Sequence, residues 1–147
     1  MAYISNADLQ ERLGASAYVQ LADDNGDGAA DVGVVDEVRL AAEGEVNSHL
    51  ARRYATPIDL ALHADLAEFL ASLTLDVAEY RMRLRRPPLA DDARRRYEQT
   101  LRWLEGLADG TLQLPSAAPP ASSAARGPMA AVLGEARVLT RKEMENH

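Results

Sequence analysis

Between residues 23 and 31 the chain reads Asp23-x-Asn25-x-Asp27-Gly28-x-x-Asp31. Oxygen-bearing side chains at this spacing, with a glycine at the sharp turn, match positions one, three, five, six and nine of an EF-hand-type calcium loop. Calcium takes six or more oxygens, two of them normally from a bidentate glutamate at position twelve. Here that position is Val34, and Asp36 and Glu37 come too late unless they swing back. The incomplete set favours the other use of these residues, an Asx-turn loop whose carboxylates accept backbone N–H groups and cap the following helix. No metal or cofactor is therefore expected. A calcium-dependent interaction module stays open as an alternative, decided by calorimetry with calcium on the wild type and on Asp27→Ala.

The second concentration of chemistry is cationic. Arg81, Arg83, Arg85, Arg86, Arg94, Arg95 and Arg96 crowd one segment of a chain whose net charge is −7 and whose single lysine is Lys142. The planar guanidinium suits bidentate contact with carboxylate or phosphate. Arg83, Arg85, Arg86 and Arg94 are thus candidate partner-binding residues for an acidic protein surface, and a solvated hairpin tip is the equal alternative. The acidic balance argues against a general nucleic-acid-binding surface.

Arrangements for catalysis are missing from the pattern. His49, His63 and His147 form no His-x-x-x-His or His-Glu-x-x-His motif, and there is no Gly-x-Ser-x-Gly, Walker-type or dinucleotide glycine loop. Asp23-Asp24 and Asp91-Asp92 sit where loops and helix caps want carboxylates. The chain is expected not to be an enzyme. It has no cysteine, which excludes disulfides and thiolate metal sites. No basic start followed by an apolar run marks a signal peptide, and no apolar stretch is long enough to span a membrane.

The elements that hold these residues read as helices, in keeping with an apolar set of mostly Ala, Leu and Val and 5% aromatics. Ser5 and Asp8 have capping-box spacing, Ile4 and Leu9 form a staple, and Gly14 stops the first helix. A short second helix covers roughly residues 15 to 21. After the Asp/Gly loop, Val34, Val35, Val38, Ala42, Val46 and Leu50 recur at helical spacing, with Asp31 as cap and Thr56-Pro57 as the break. The longest helix is expected from Leu60 to Arg85. One apolar stripe runs through Leu62, Leu66, Phe69, Leu70, Leu73, Val77, Tyr80 and Leu84, and a second through Ala71, Leu75, Ala78 and Met82. Two stripes require two covers, the rest of the fold or a neighbouring subunit. Pro87-Pro88 forces a turn. Asp91 or Asp92 caps a last helix, which carries Tyr97, Leu101, Leu104 and Ala108 with Trp103 and Leu107 beside them, and Gly110 closes it. The expected fold is all-α, a small antiparallel bundle of about four to five helices over residues 1–114.

From Pro115 the composition changes. Residues 115–128 are Pro, Ala, Ser and Gly with Arg126 as the one charge, a linker too poor in apolar surface to offset its ordering entropy. Residues 129–147 are apolar again, with Val132, Leu133, Val138 and Leu139 followed by Arg141. They read as an extended docking arm that attaches to a partner, for instance by strand addition; a strand folded back on its own body is the alternative.

The order of the pieces resembles the Mu-like phage and prophage head–tail connector (adaptor) proteins. It begins with Tyr3-x-Ser5-x-x-Asp8-Leu9-x-x-Arg12-x-Gly14 and continues through the loop from Leu21 to Asp31, Leu50-Ala51-x-Arg53-Tyr54 and Pro57. Asp76-Val77-Ala78-x-Tyr80, Arg96-Tyr97, Trp103-Leu104 and Ala108-Asp109-Gly110-x-Leu112-x-Leu114-Pro115 follow. Val138-Leu139-Thr140-Arg141 is similar to a terminal element of the family, with Thr for Ser and Leu for an aromatic residue. The resemblance implies a structural protein of the virion neck, made in the bacterial host cytoplasm. Its partners would be further copies of itself in a ring, commonly of twelve, the portal protein, and a stopper or tail-completion protein; no specific nucleic acid and no membrane are implied. The alternative from a different class is a DNA-binding or regulatory helical domain using the Arg81–Arg96 cluster.

Overall fold

A computed structural model describes residues 2–114. The linker and the arm, with Val132, Leu133, Val138, Leu139 and Arg141, lie outside the described residues. Those described form α1 (Asn6–Leu13), α2 (Ala15–Ala22), α3 (Val32–Leu50), α4 (Ala67–Leu84, preceded by a 3-10 turn at Ala64–Leu66) and α5 (Asp91–Asp109), and no strand occurs among them. The expected all-α class and small bundle are what is found.

α1 starts as its sequence directs. The Ser5 side chain accepts from the Asp8 N–H, the Asp8 carboxylate accepts from the Ser5 N–H at 2.7 Å, and Ile4 and Leu9 are both buried. These hydrogen bonds hold the Asp8 carboxyl below its ordinary value. Gly14, at φ 80, ends α1 and admits α2 at once.

α3, α4 and α5 pack against one another in all three pairs, and α1 and α2 close over them. Paired residues give the directions. Asp76 meets Thr100 and Glu79 meets Arg96, so α4 and α5 run oppositely; Glu45 meets Arg81 while Glu37 and Ala41 lie beside Leu84, so α3 and α4 do too. The core runs through Leu9, Val35, Val46, Leu50, Leu70 and Leu104, all fully buried. The valines of α3 are middling helix formers, so packing rather than intrinsic propensity secures that helix.

Several boundaries differ from expectation. The segment expected to begin a helix at Leu60 is instead an isolated turn. The Asp59 carbonyl accepts from Leu62 and His63, its carboxylate accepts from the Ala61 N–H, and the helix proper starts at Ala67. Leu62 is 77% exposed and belongs to no core stripe. α3 and α5, at 19 residues each, exceed α4 at 18. Ala90, not an aspartate, occupies the N-cap of α5; Asp91 and Asp92 lie in its first turn, where their charge suits the helix dipole. The buried stripe of α5 is Ala93, Thr100, Leu104, Leu107 and Ala108, which leaves Trp103 at 42% exposed, edge-on to Phe69.

Candidate functional site

The charged residues that the sequence scatters along the chain are gathered into internal clusters. The largest centres on Glu79 of α4, whose side chain is 3% exposed. Its carboxylate takes Arg12 Nε from α1 at 3.1 Å, Arg83 Nε one turn along α4 at 2.9 Å and an Arg96 guanidinium nitrogen from α5 at 2.8 Å. Arg12 also pairs with Asp76, which accepts from the Thr100 hydroxyl at 3.0 Å. Burial pushes the Glu79 carboxyl up, yet the hydrogen bonds from Arg83 and Arg12 and the Arg96 charge together hold it below its ordinary value. It is ionised at neutral pH and ties three helices.

A second cluster joins α3, α4 and α5. Glu45 accepts from Arg81 Nε at 3.0 Å and from the Tyr97 hydroxyl at 2.7 Å, and Tyr97 stacks flat on Tyr80 with ring centroids 3.9 Å apart. Burial, then the hydrogen bond to Glu45, pushes the Tyr97 phenol up to about 12. A raised folded value means that the contribution is complete below 10, the unfolded value, and is lost as pH rises through the folded value. Tyr97→Phe should therefore cost about 1 kcal/mol at neutral pH and flatten stability loss in the alkaline limb; urea titrations at pH 7 and pH 11 measure both. An alkaline limb identical to that of the wild type would refute the assignment.

Glu43 makes a third tie. Its carboxylate accepts the Tyr3 N–H at 3.1 Å and lies 3.5 Å from Arg39, while the Tyr3 hydroxyl donates to Asn47 and accepts from the Ile58 N–H at 2.8 Å. The N-terminal segment is thereby sewn to α3 and to the segment after it.

The Asp/Gly loop is a set of Asx turns. Asp23 accepts from the Gly26 and Gly28 N–H groups, Asn25 from Asp27, and Asp27 from Ala29. The Gly28 N–H foremost, with those of Gly26 and Asp27 and the Arg86 charge, holds the Asp23 carboxyl below its ordinary value. Asp31 occupies the N-cap of α3, but the expected side-chain cap is not made: its carboxylate turns back to accept from the Asp24 N–H and the Asn25 amide. Among the described residues no group of acidic or histidine side chains is arranged to hold a metal.

The arginine calls separate in space. Arg85 and Arg86 clamp this loop to the Pro-Pro corner through Asp24 and the carbonyls of Leu21 and Asp23. Arg83 serves Glu79, and Arg94 pairs with Asp91 at 3.0 Å on the surface. Arg83, Arg85, Arg86 and Arg94 thus each have a partner within the chain, while Arg141 lies outside the described residues; of the segment from 81 to 96, Arg95 alone has none among the described residues. Glu79, Glu45 and Glu43 went unnoticed in the sequence. The Glu79–Arg83 and Arg39–Glu43 spacings of four were the visible signals.

Two surface features remain. A cleft of about 520 Å³ lies between α1 and α4, floored by Ala67, Ala71 and Leu75 and rimmed by Glu11, Arg12 and Glu68. The second stripe of α4 is thus covered by the fold at Ala78 and Met82 but only half-buried at Ala71 and Leu75. The described residues end at Leu114, which is buried and whose N–H donates to the Tyr54 hydroxyl at 3.3 Å, a few residues past the end of α3. Just before, Gly110 adopts φ 86 under the Arg53 guanidinium, which a Cβ there would strike.

A helical body of this build, continued by an apolar segment, falls in a class of bacteriophage proteins. Residues 3–132 match the model of the family described as Bacteriophage Mu, Gp36, and the chain belongs to that family. No individually curated protein matches it. The match extends past Leu114 as far as Val132. No helix among the described residues is long and apolar enough to cross a membrane.

Proposed function

We propose that the chain is a non-enzymatic structural subunit of a phage head–tail connector, forming a ring of copies between the portal and a stopper or tail-completion protein in the virion neck. The observation that carries this reading is the family match across body, linker and the start of the arm. It is supported by the ordered series of motifs that resembles head–tail connectors. A body closed by its own ion-pair clusters, followed by an apolar segment on a tether, suits a part that attaches to other proteins. The Arg81–Arg96 cluster gives little support to the DNA-binding alternative, because all of its arginines but Arg95 are turned onto groups of the chain itself.

The test is to mix the chain with its portal protein and image the complex. A ring seated on the portal is expected. Removing residues 115–147, or replacing Val132, Leu133, Val138 and Leu139 by Asp, should weaken binding by at least about 100-fold, equal to roughly 2.7 kcal/mol. Unchanged portal affinity without the arm would sink the docking role, and no portal complex at all would sink the connector reading.

A further inference from the structure

We propose that the α1–α4 cleft is the docking site for this chain's own arm, with the apolar run from Met129 to Leu139 seated on Ala67, Ala71 and Leu75. Ala67, Ala71 and Leu75 give the cleft an apolar strip between polar rims, and two alanines and a leucine accept small aliphatic side chains such as Ala131, Val132 and Leu133.

Charge points to the same occupant. Glu11 and Glu68 stand on opposite rims with no partner among the described residues, whereas Arg12 is turned inward to Asp76 and Glu79. The outward-facing charge of the cleft is therefore negative. The arm brings Arg137, Arg141 and Lys142 next to its apolar run, against Glu135 as the only carboxylate between 129 and 142.

Reach is sufficient. The described residues end at Leu114 on the Tyr54 hydroxyl; a short stretch joins Tyr54 to Ile58, whose N–H donates to the Tyr3 hydroxyl, and Tyr3 lines the cleft. The exit and the cleft are thus separated by no more than roughly 30 Å, while residues 115–128 can span up to about 50 Å. Tethering at that length gives an effective concentration in the range of mM, which favours the arm of the same chain over that of a neighbour. The docking does not depend on the connector role. If the arm also grips a portal, the portal must displace it from this cleft.

The chain has no native cysteine, so disulfide trapping in the full-length protein is direct. Ser72→Cys, on the cleft, is combined with Leu133→Cys; the control is Ser48→Cys with Leu133→Cys, at an exposed position on α3 away from the cleft lining. The cleft pair is expected to close within one chain about tenfold faster than the control, at a rate independent of protein concentration. Glu11→Lys with Glu68→Lys should erase that advantage, and Arg137→Glu with Arg141→Glu should restore it. Equal rates for the two pairs, closure only between chains, or an advantage indifferent to both charge reversals would overturn the proposal.

Discussion

Glu79→Ala is expected to destabilise the body by about 3 kcal/mol, the low end of what breaking a buried ion pair costs. The carboxylate is almost wholly buried, and its removal leaves Arg12, Arg83 and Arg96 facing one another across α1, α4 and α5 with only Asp76 to balance them. The arginines are themselves 29 to 43% exposed, so water recovers part of the loss and the upper end of the range is not reached. Removing Arg96, the most exposed of the three, should cost less than about 1 kcal/mol. The asymmetry follows from geometry: one carboxylate serves three cations, and among the described residues no cation serves as many carboxylates. For a body of this size the Glu79→Ala loss lowers Tm by roughly 10 °C, and a cost below that of Arg96→Ala would refute the central role.

The same group sets the acid limb. Its folded value lies below the ordinary 4.5, so the stability that it contributes is complete above 4.5 and is lost as pH falls through the folded value. Glu79→Gln should therefore be less stable than the wild type at pH 7 and show a shallower loss toward pH 3. Parallel acid titrations of the two proteins would refute the assignment.

Leu70→Ala is expected to cost about 3 kcal/mol, and Leu62→Ala less than 0.5 kcal/mol in either direction. The pair is informative because both leucines fall on one helical stripe when the spacing is read alone. Leu70 is fully buried on α4, and truncation there opens a cavity that the close-packed core does not fill. Leu62 is 77% exposed in the turn made by Asp59. Denaturant unfolding with unchanged m-values measures both, and comparable losses at the two sites would mean that the turn is packed as a helix.

The difference between Leu62 and Leu70 shows where a periodic pattern stops being informative. Spacing reports which residues could share a face, but Asp59 side-chain and carbonyl bonds compete with the helix locally, and that competition is settled only by what each conformation packs against. Trp103 is a similar case. It sits one position from the buried Leu104, and a rotation of the stripe by part of a turn decides which is inside. The Ser5–Asp8 cap, Gly14, the Thr56-Pro57 break and the Gly110 stop were legible because each acts through atoms a few residues away. The candidate partner residues were legible as chemistry but not as surface. Arg83, Arg85, Arg86 and Arg94 were seen to want carboxylates, and the carboxylates turned out to be Glu79, Asp24 and Asp91 of the same chain.

By itself the sequence determined the helical class, most of the turns and caps, and the change of composition after Leu114. These depend on backbone sterics, short-range hydrogen bonds and local apolar content, all of which are written in adjacent residues. Tertiary structure alone decided that Glu79 would bind Arg12 and Arg96, that Glu43 would anchor Tyr3, and that α1 and α4 would leave a cleft open between them. Those pairings join residues up to 67 positions apart. Their strength comes from burial, which no residue possesses until the helices have packed.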